Sequence, residues 1–172
     1  MAGGIQPGTV ATSKESAASE KNHTKWIGEV VSELDSNWMI KKRILIEDII
    51  GRKPTYALNA DGDSQYWESD GGFFYRKSDS GVWVLVGAAE NKWQRNRENA
   101  CERAFRYLSF LRGSQIFISC AGPGFRKMNG GGATGPTIEM LMFSGAYVIE
   151  NVNDEENFKN EFRNWVNTLK VV

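Results

Sequence analysis

The stretch SDGGFFYRKSDSGVWVLVGAAENK, residues 69–92, decides the fold. The aromatic run Phe73–Lys77 reads as a strand, Ser78–Gly81 as a tight turn, and Val82–Lys92 as the returning strand of a hairpin. Side chains two apart in a strand share a face, so Glu90 and Lys92 point the same way at the strand's end. Asp70 stands just before the first strand, and a turn at 78–81 brings it close to Glu90 across the pair. Two carboxylates at the rim of a sheet suit Mg²⁺, which takes oxygen ligands and keeps several waters. A lysine beside them can position or deprotonate a water and stabilise charge developing on a phosphate. That chemistry is phosphodiester hydrolysis. A plainer reading uses the same residues: Asp70 caps a turn before Gly71 and Gly72, and Glu90 and Lys92 form a solvated pair. The spacing leaves both open.

The segment after the hairpin is basic. From Lys92 to Arg112 there are six basic residues (Lys92, Arg95, Arg97, Arg103, Arg106, Arg112) against two acidic ones, Glu98 and Glu102. The whole chain is formally neutral, but a local patch matters more for phosphate binding than the total does. The pattern from Glu98 to Arg112 is helical, with Ala100, Ala104, Tyr107, Leu108 and Leu111 as its apolar stripe. Asn99, Arg103 and Arg106 then share one face. The plain alternative is a solvated basic face.

Composition narrows the chemistry. With 172 residues, 41% of them hydrophobic, the chain suits one domain with a real core. Its single histidine, His23, leaves almost no material for a His-based triad or a His-rich metal site. The two cysteines, Cys101 and Cys120, lack metal-ligand spacing and fit a reduced, cytoplasmic protein. Residues 1–22 are polar, without the apolar core of a signal peptide, and read as a disordered tail or an arm that orders on a partner. Residues 23–172 are the domain.

Elsewhere the spacing of Trp26, Ile27, Val30, Val31 and Leu34 predicts a helix over 24–36. Residues 39–54 are ambiguous between helix and strand, and residues 59–72 read as an acidic, turn-rich segment. QIFISCAG (115–122) is a further buried strand, and TIEMLMFSGAYVI (137–149) contains another. ENFKNEFRNWVNTL (156–169) is a closing amphipathic helix. The Gly-rich residues 123–136 lack a phosphate-loop order and read as a plain loop that can also track a DNA backbone. The order of elements indicates an α/β or α+β single domain.

These residues resemble the PD-(D/E)xK nucleases, and more narrowly the EcoRI/MunI-type restriction endonucleases. The resemblance rests on Asp70-Gly71-Gly72, the strand and turn, Trp83 seven residues before the glutamate, and Glu90-x-Lys92. The segment RENACER, Arg97–Arg103, resembles the NAxER motif with which that family reads AATT, and IFISCAG falls where the family has its next core strand. The likeness covers about residues 65–125.

It implies an α/β, single-domain restriction-endonuclease-like fold with a mixed central sheet flanked by helices. Asp70 and Glu90 would hold Mg²⁺ with help from the Asn91 backbone carbonyl, and Lys92 would orient the attacking water. Asn99, the Ala100 backbone and Arg103 would contact bases in the major groove, Glu102 would buttress the arginines, and Arg97 would add a further contact. An Asn amide pairs with adenine's N7/N6 edge and Arg supplies a fork for N7 or O6. The implied protein is a homodimer that cuts double-stranded DNA at a palindrome containing AATT, leaving 5′-phosphates, alongside a cognate DNA methyltransferase. Three departures stand out. Ser69 replaces a proline before Asp70, Glu98 replaces a glycine before Asn99, and the gap from Lys92 to Asn99 is short. A processing nuclease without strict site preference, or a non-catalytic DNA-binding module, are the competing expectations.

Overall fold

The computed structural model describes residues 13–45, 48, 66–93, 104, 106–121, 140–150 and 152–171. They form an α/β arrangement around one five-stranded mixed sheet. Helix α1 (Ser13–Ser32) precedes strands β1 (Trp38–Leu45), β2 (Tyr66–Lys77), β3 (Trp83–Trp93), β4 (Ile116–Ala121) and β5 (Tyr147–Glu150), and helix α2 (Glu155–Thr168) comes last. The spatial order is β1-β2-β3-β4-β5. β1, β2 and β3 form an antiparallel meander, while β4 runs parallel to β3 and β5 parallel to β4. Parallel neighbours need a crossover. Between β3 and β4 it carries helical turns at Ala104 and Arg106–Tyr107 and a 3-10 turn at Gly113–Gln115.

The expected hairpin is present. Ser78 N–H donates to the Val82 carbonyl at 2.8 Å, and Gly81 takes φ +84°, a conformation glycine adopts without strain. Of the ambiguous segment 39–54, residues 39–45 belong to β1 (Trp38–Leu45), and residues 46–47 and 49–54 lie outside the described residues.

Two expectations are corrected. Asp70 does not precede its strand: β2 begins at Tyr66 and carries Asp70, Gly71 and Gly72 within it. The glycines mark a bulge instead of a chain reversal. On the β1 side the register jumps from Lys41↔Phe73 to Arg43↔Glu68, so Lys42 faces Ser69–Gly72. On the β3 side pairing holds at Gly72↔Ala89. Gly72 takes φ +108°, and a Cβ on Gly71 would stand 2.6 Å from both the Cβ and the carbonyl oxygen of Ala89. Glycine inside a strand serves this close approach.

The second correction concerns the ends of α1. The helix starts at Ser13, ahead of the expected start at residue 24, and stops at Ser32, short of the expected end at residue 36. Ala, Glu and Lys between residues 14 and 21 are good helix formers, and His23 and Trp26 anchor the next turns. In the turn that follows, Asp35 accepts a hydrogen bond from Asn37 N–H at 2.9 Å.

Both sheet faces are covered. On one, Phe74, Val86, Ala89, Phe117 and Ile149 pack under α1 and α2. Phe158, Phe162 and Trp165 recur at helical spacing along α2 and are fully buried. Asp154 caps that helix, accepting from Asn157 N–H at 2.8 Å, and Glu155 and Glu156 complement its dipole. On the other face, Phe73, Ala88, Ile116 and Ile118 pack against Ala104, Tyr107, Leu111 and Leu141. This second layer brings Tyr107 over the ends of β2 and β3.

Candidate active site

Asp70 and Glu90 meet where the β2 bulge faces β3. Glu90 is fully buried and Asp70 half-buried, and the Asp70 N–H points at Glu90 Oε2 over 3.5 Å. A fully buried carboxylate is retained only with hydrogen-bonding partners. Glu90 Oε1 accepts from the Tyr107 hydroxyl. That hydroxyl also lies 3.0 Å from the Glu68 carbonyl oxygen. It has one proton, and the charged acceptor is the stronger.

Ser69 stitches the bulge. Its Oγ donates to the Ala89 carbonyl and accepts from Gly72 N–H at 2.9 Å. The Ser69 hydroxyl therefore has a structural use, which a proline at this position would not supply.

A cation that the sequence reading did not single out enters this rim from β1. Lys42 Nζ donates to the Asp70 carbonyl oxygen at 2.7 Å. The residue is exposed, but its ammonium is tucked against β2. Desolvation lowers its pKa from the ordinary lysine value, and the negative charges of Asp70 and Glu90 partly offset that. The signal that could have found it is the run Lys41-Lys42-Arg43, which the ambiguity of that segment hid.

Lys92 lies on β3 two positions after Glu90, its backbone in register with Cys120 of β4, which in turn is in register with Glu150 of β5. Glu150 is a buried carboxylate at the carboxyl end of the parallel strands and was not singled out from sequence. Asn91, expected to offer its backbone carbonyl, is buried, and its side-chain amide donates to Thr24 Oγ1 of α1 at 2.8 Å. That contact ties β3 to the helix on the opposite face from Tyr107.

Arg97, Asn99, Ala100, Glu102 and Arg103, and the Gly-rich segment 123–136, lie outside the described residues. Arg106, from the same expected basic face, is exposed and lines a pocket of about 160 Å³ with Tyr66, Trp67, Glu68 and Tyr107. This pocket adjoins the Tyr107–Glu90 contact. A far larger groove, about 1220 Å³, lies at the other end of the hairpin between Ser78–Gly81 and the end of α2. Its size does not make it the site, because Asp70 and Glu90 stand at the opposite end of β2 and β3.

The single histidine is structural. His23 is buried, stacks on Phe158 at 4.3 Å, and directs Nε2 to the Val152 carbonyl oxygen at 2.7 Å. A carbonyl only accepts, so Nε2 carries the proton. Burial lowers the His23 pKa to about 4.

Among the described residues no three His, Cys, Asp or Glu side chains come together as a metal cluster. The oxygen donors at the rim are the two carboxylates of Asp70 and Glu90 and nearby main-chain carbonyls. Such a set fits a hard cation that keeps several waters and does not fit a zinc cage. Among the described residues, no helix is long and apolar enough to cross a membrane. The chain matches no protein-family model, and no curated protein matches it.

Proposed function

We propose that this protein is a Mg²⁺-dependent endonuclease of the PD-(D/E)xK type that hydrolyses phosphodiester bonds of double-stranded DNA. The observation that carries the reading is the approach of the Asp70 backbone N–H to the buried Glu90 carboxylate across β2 and β3, with Lys92 two residues further along the same strand. A buried carboxylate is costly unless it is paired or hydrogen-bonded, and Glu90 is held by the Tyr107 hydroxyl. The antiparallel meander followed by parallel strands agrees with the mixed sheet flanked by helices that this nuclease type implies.

Asp70 and Glu90 would hold the Mg²⁺, with the Asn91 carbonyl as a third oxygen. When bound, the ion supplies a charge that neutralises the two carboxylates and polarises the phosphate. Tyr107 fixes Glu90 by engaging Oε1, which leaves Oε2 on the Asp70 side. Ser69 and the two glycines hold Asp70 in the bulge. Lys92 would orient the water for in-line attack. The products are a 5′-phosphate and a 3′-hydroxyl.

The finer reading is a type II restriction endonuclease: a homodimer cutting a palindrome with AATT at its centre, paired with a methyltransferase of the same specificity. It rests on Arg97, Asn99, Ala100, Glu102 and Arg103. Glu98 and the short gap after Lys92 favour a second reading, a processing nuclease without strict site preference. Digestion of a plasmid library with Mg²⁺, followed by sequencing of the ends, separates the two. Ends clustered at one palindrome support restriction, random ends support processing, and intact plasmid in every preparation rejects catalysis.

A further inference from the structure

Lys42 has a different environment from the two cations beside it. Lys41 Nζ lies over the Tyr75 ring at 5.3 Å from its centre. Arg43 pairs with Glu68 at 2.9 Å and lies over the Tyr66 ring at 4.4 Å. Both are occupied by side chains of β2. Lys42 alone of the three is opposite the bulge, where β2 spends Ser69–Gly72 against this single residue of β1. Bulges re-aim side chains and gather at active sites. Here the bulge turns the Lys42 ammonium onto the main-chain carbonyl of Asp70.

That acceptor is neutral. An ammonium has three N–H donors. The Asp70 carbonyl takes one, and an anion arriving at the rim can take another. The carboxylates of Asp70 and Glu90 repel a phosphodiester, so a cation anchored beside them lowers the cost of its approach. Among the described residues β1 is also the edge strand of the sheet, the side from which a long, charged ligand can approach.

We propose that Lys42 is a phosphate-contacting residue of this site, donating to a non-bridging oxygen of the DNA backbone next to the Asp70–Glu90 pair. The inference rests on the nuclease reading and adds to it a residue from outside the Glu90-x-Lys92 motif. Its rival is a structural strap in which Lys42 merely closes the bulge.

The test is binding of wild type, Lys42→Ala and Lys42→Arg to an AATT-centred duplex with randomised flanks. It is run in Ca²⁺ over a series of salt concentrations, with the urea midpoint of each protein measured alongside. A phosphate contact predicts about tenfold weaker binding for Lys42→Ala and a log–log salt dependence shallower by about one. Lys42→Arg restores the slope, and all three proteins keep the same midpoint. An unchanged slope in Lys42→Ala overturns the inference, and a lower midpoint with that unchanged slope identifies the strap. If wild type neither binds the duplex in Ca²⁺ nor cuts it in Mg²⁺, the nuclease reading itself falls, and Lys42 falls with it.

Discussion

Tyr107 donates its phenolic O–H to Oε1 of Glu90, a fully buried carboxylate 17 positions earlier in the chain. The contact joins the crossover segment to the end of β3, and it decides which oxygen of Glu90 is turned toward Asp70. The Tyr107 ring is held independently by Phe73, in edge contact at 5.3 Å, and by Phe110 at 6.0 Å. Positioning and packing are therefore separable.

Tyr107→Phe keeps the ring and removes the hydroxyl. Loss of a hydrogen bond to a buried charged acceptor costs about 1–3 kcal/mol, which urea unfolding will read. If the nuclease reading holds, cleavage should slow about tenfold with little change in duplex affinity, since Glu90 loses its fixed orientation while Lys42 and Lys92, the cations proposed for the site, are untouched. Equal rates in the two proteins would show that Tyr107 only packs.

Glu90→Gln tests whether the buried charge is there for stability. Replacing a buried carboxylate by its neutral isostere removes a desolvation cost, so the metal-free protein should be as stable as wild type or more so. Bound Mg²⁺ should stabilise wild type and not this variant, as ligand linkage requires, and cleavage should fall at least about a hundredfold. Lys92→Ala should lose cleavage to a similar extent yet keep the Mg²⁺-dependent rise in melting temperature. A variant pair that behaves identically would mean the two residues do not have separate roles.

The bulge predicts a steric effect. In Gly71→Ala the new methyl would stand 2.6 Å from the Cβ and carbonyl oxygen of Ala89. Backbone on that side cannot yield as a flexible side chain can, and overpacking of this kind costs about 1–3 kcal/mol. Ser69 and Asp70 would move with it. The expected result is a lower urea midpoint together with lost cleavage, and a wild-type midpoint would contradict the close approach of β2 to β3.

The hairpin is legible in the sequence because local signals agree: aromatic and β-branched residues on both arms and a turn sequence between them. The closing helix is legible from Phe158, Phe162 and Trp165 at helical spacing. Gly71-Gly72 reads as a turn because the signal for a turn and for a bulge is the same glycine pair, and only the approach of Ala89 tells them apart. Lys42 and Tyr107 are invisible as site residues for a related reason. Their polar ends meet Asp70 and Glu90 through tertiary contacts, across the β1–β2 pair and from the crossover segment, and local spacing gives no sign of either. His23 falls at the edge of an expected tail because its partners, Val152 and Phe158, lie at the far end of the chain. The residues expected to read bases, Arg97, Asn99, Ala100, Glu102 and Arg103, lie outside the described residues.

His23 supplies a prediction about pH. Its imidazole is buried against Trp26 and Phe158, with Nε2–H given to the Val152 carbonyl. Nδ1 has no hydrogen-bond partner among the described residues. A second proton would have to sit on Nδ1 without solvation, which is why burial lowers the pKa to about 4 from 6.5. Between those values the unfolded chain binds a proton that the folded one does not, so stability rises with pH across this window and is lost as pH falls through it. The shift corresponds to about 3 kcal/mol, fully present above pH 6.5 and gone below about 4. Glu29 and Glu33, held below the usual carboxylate range by hydrogen bonds from Lys159 and Arg163, act on stability only as pH falls below the ordinary glutamate value. The interval from 6.5 to 4.5 therefore isolates the histidine among these groups. Urea unfolding followed from pH 8 to 4 should show wild type weakening across that interval and His23→Gln staying nearly flat there. A wild-type profile as flat as the variant's would mean that His23 is solvated or protonated in the folded protein, and the docking of α1 against α2 through this ring would have to be redrawn.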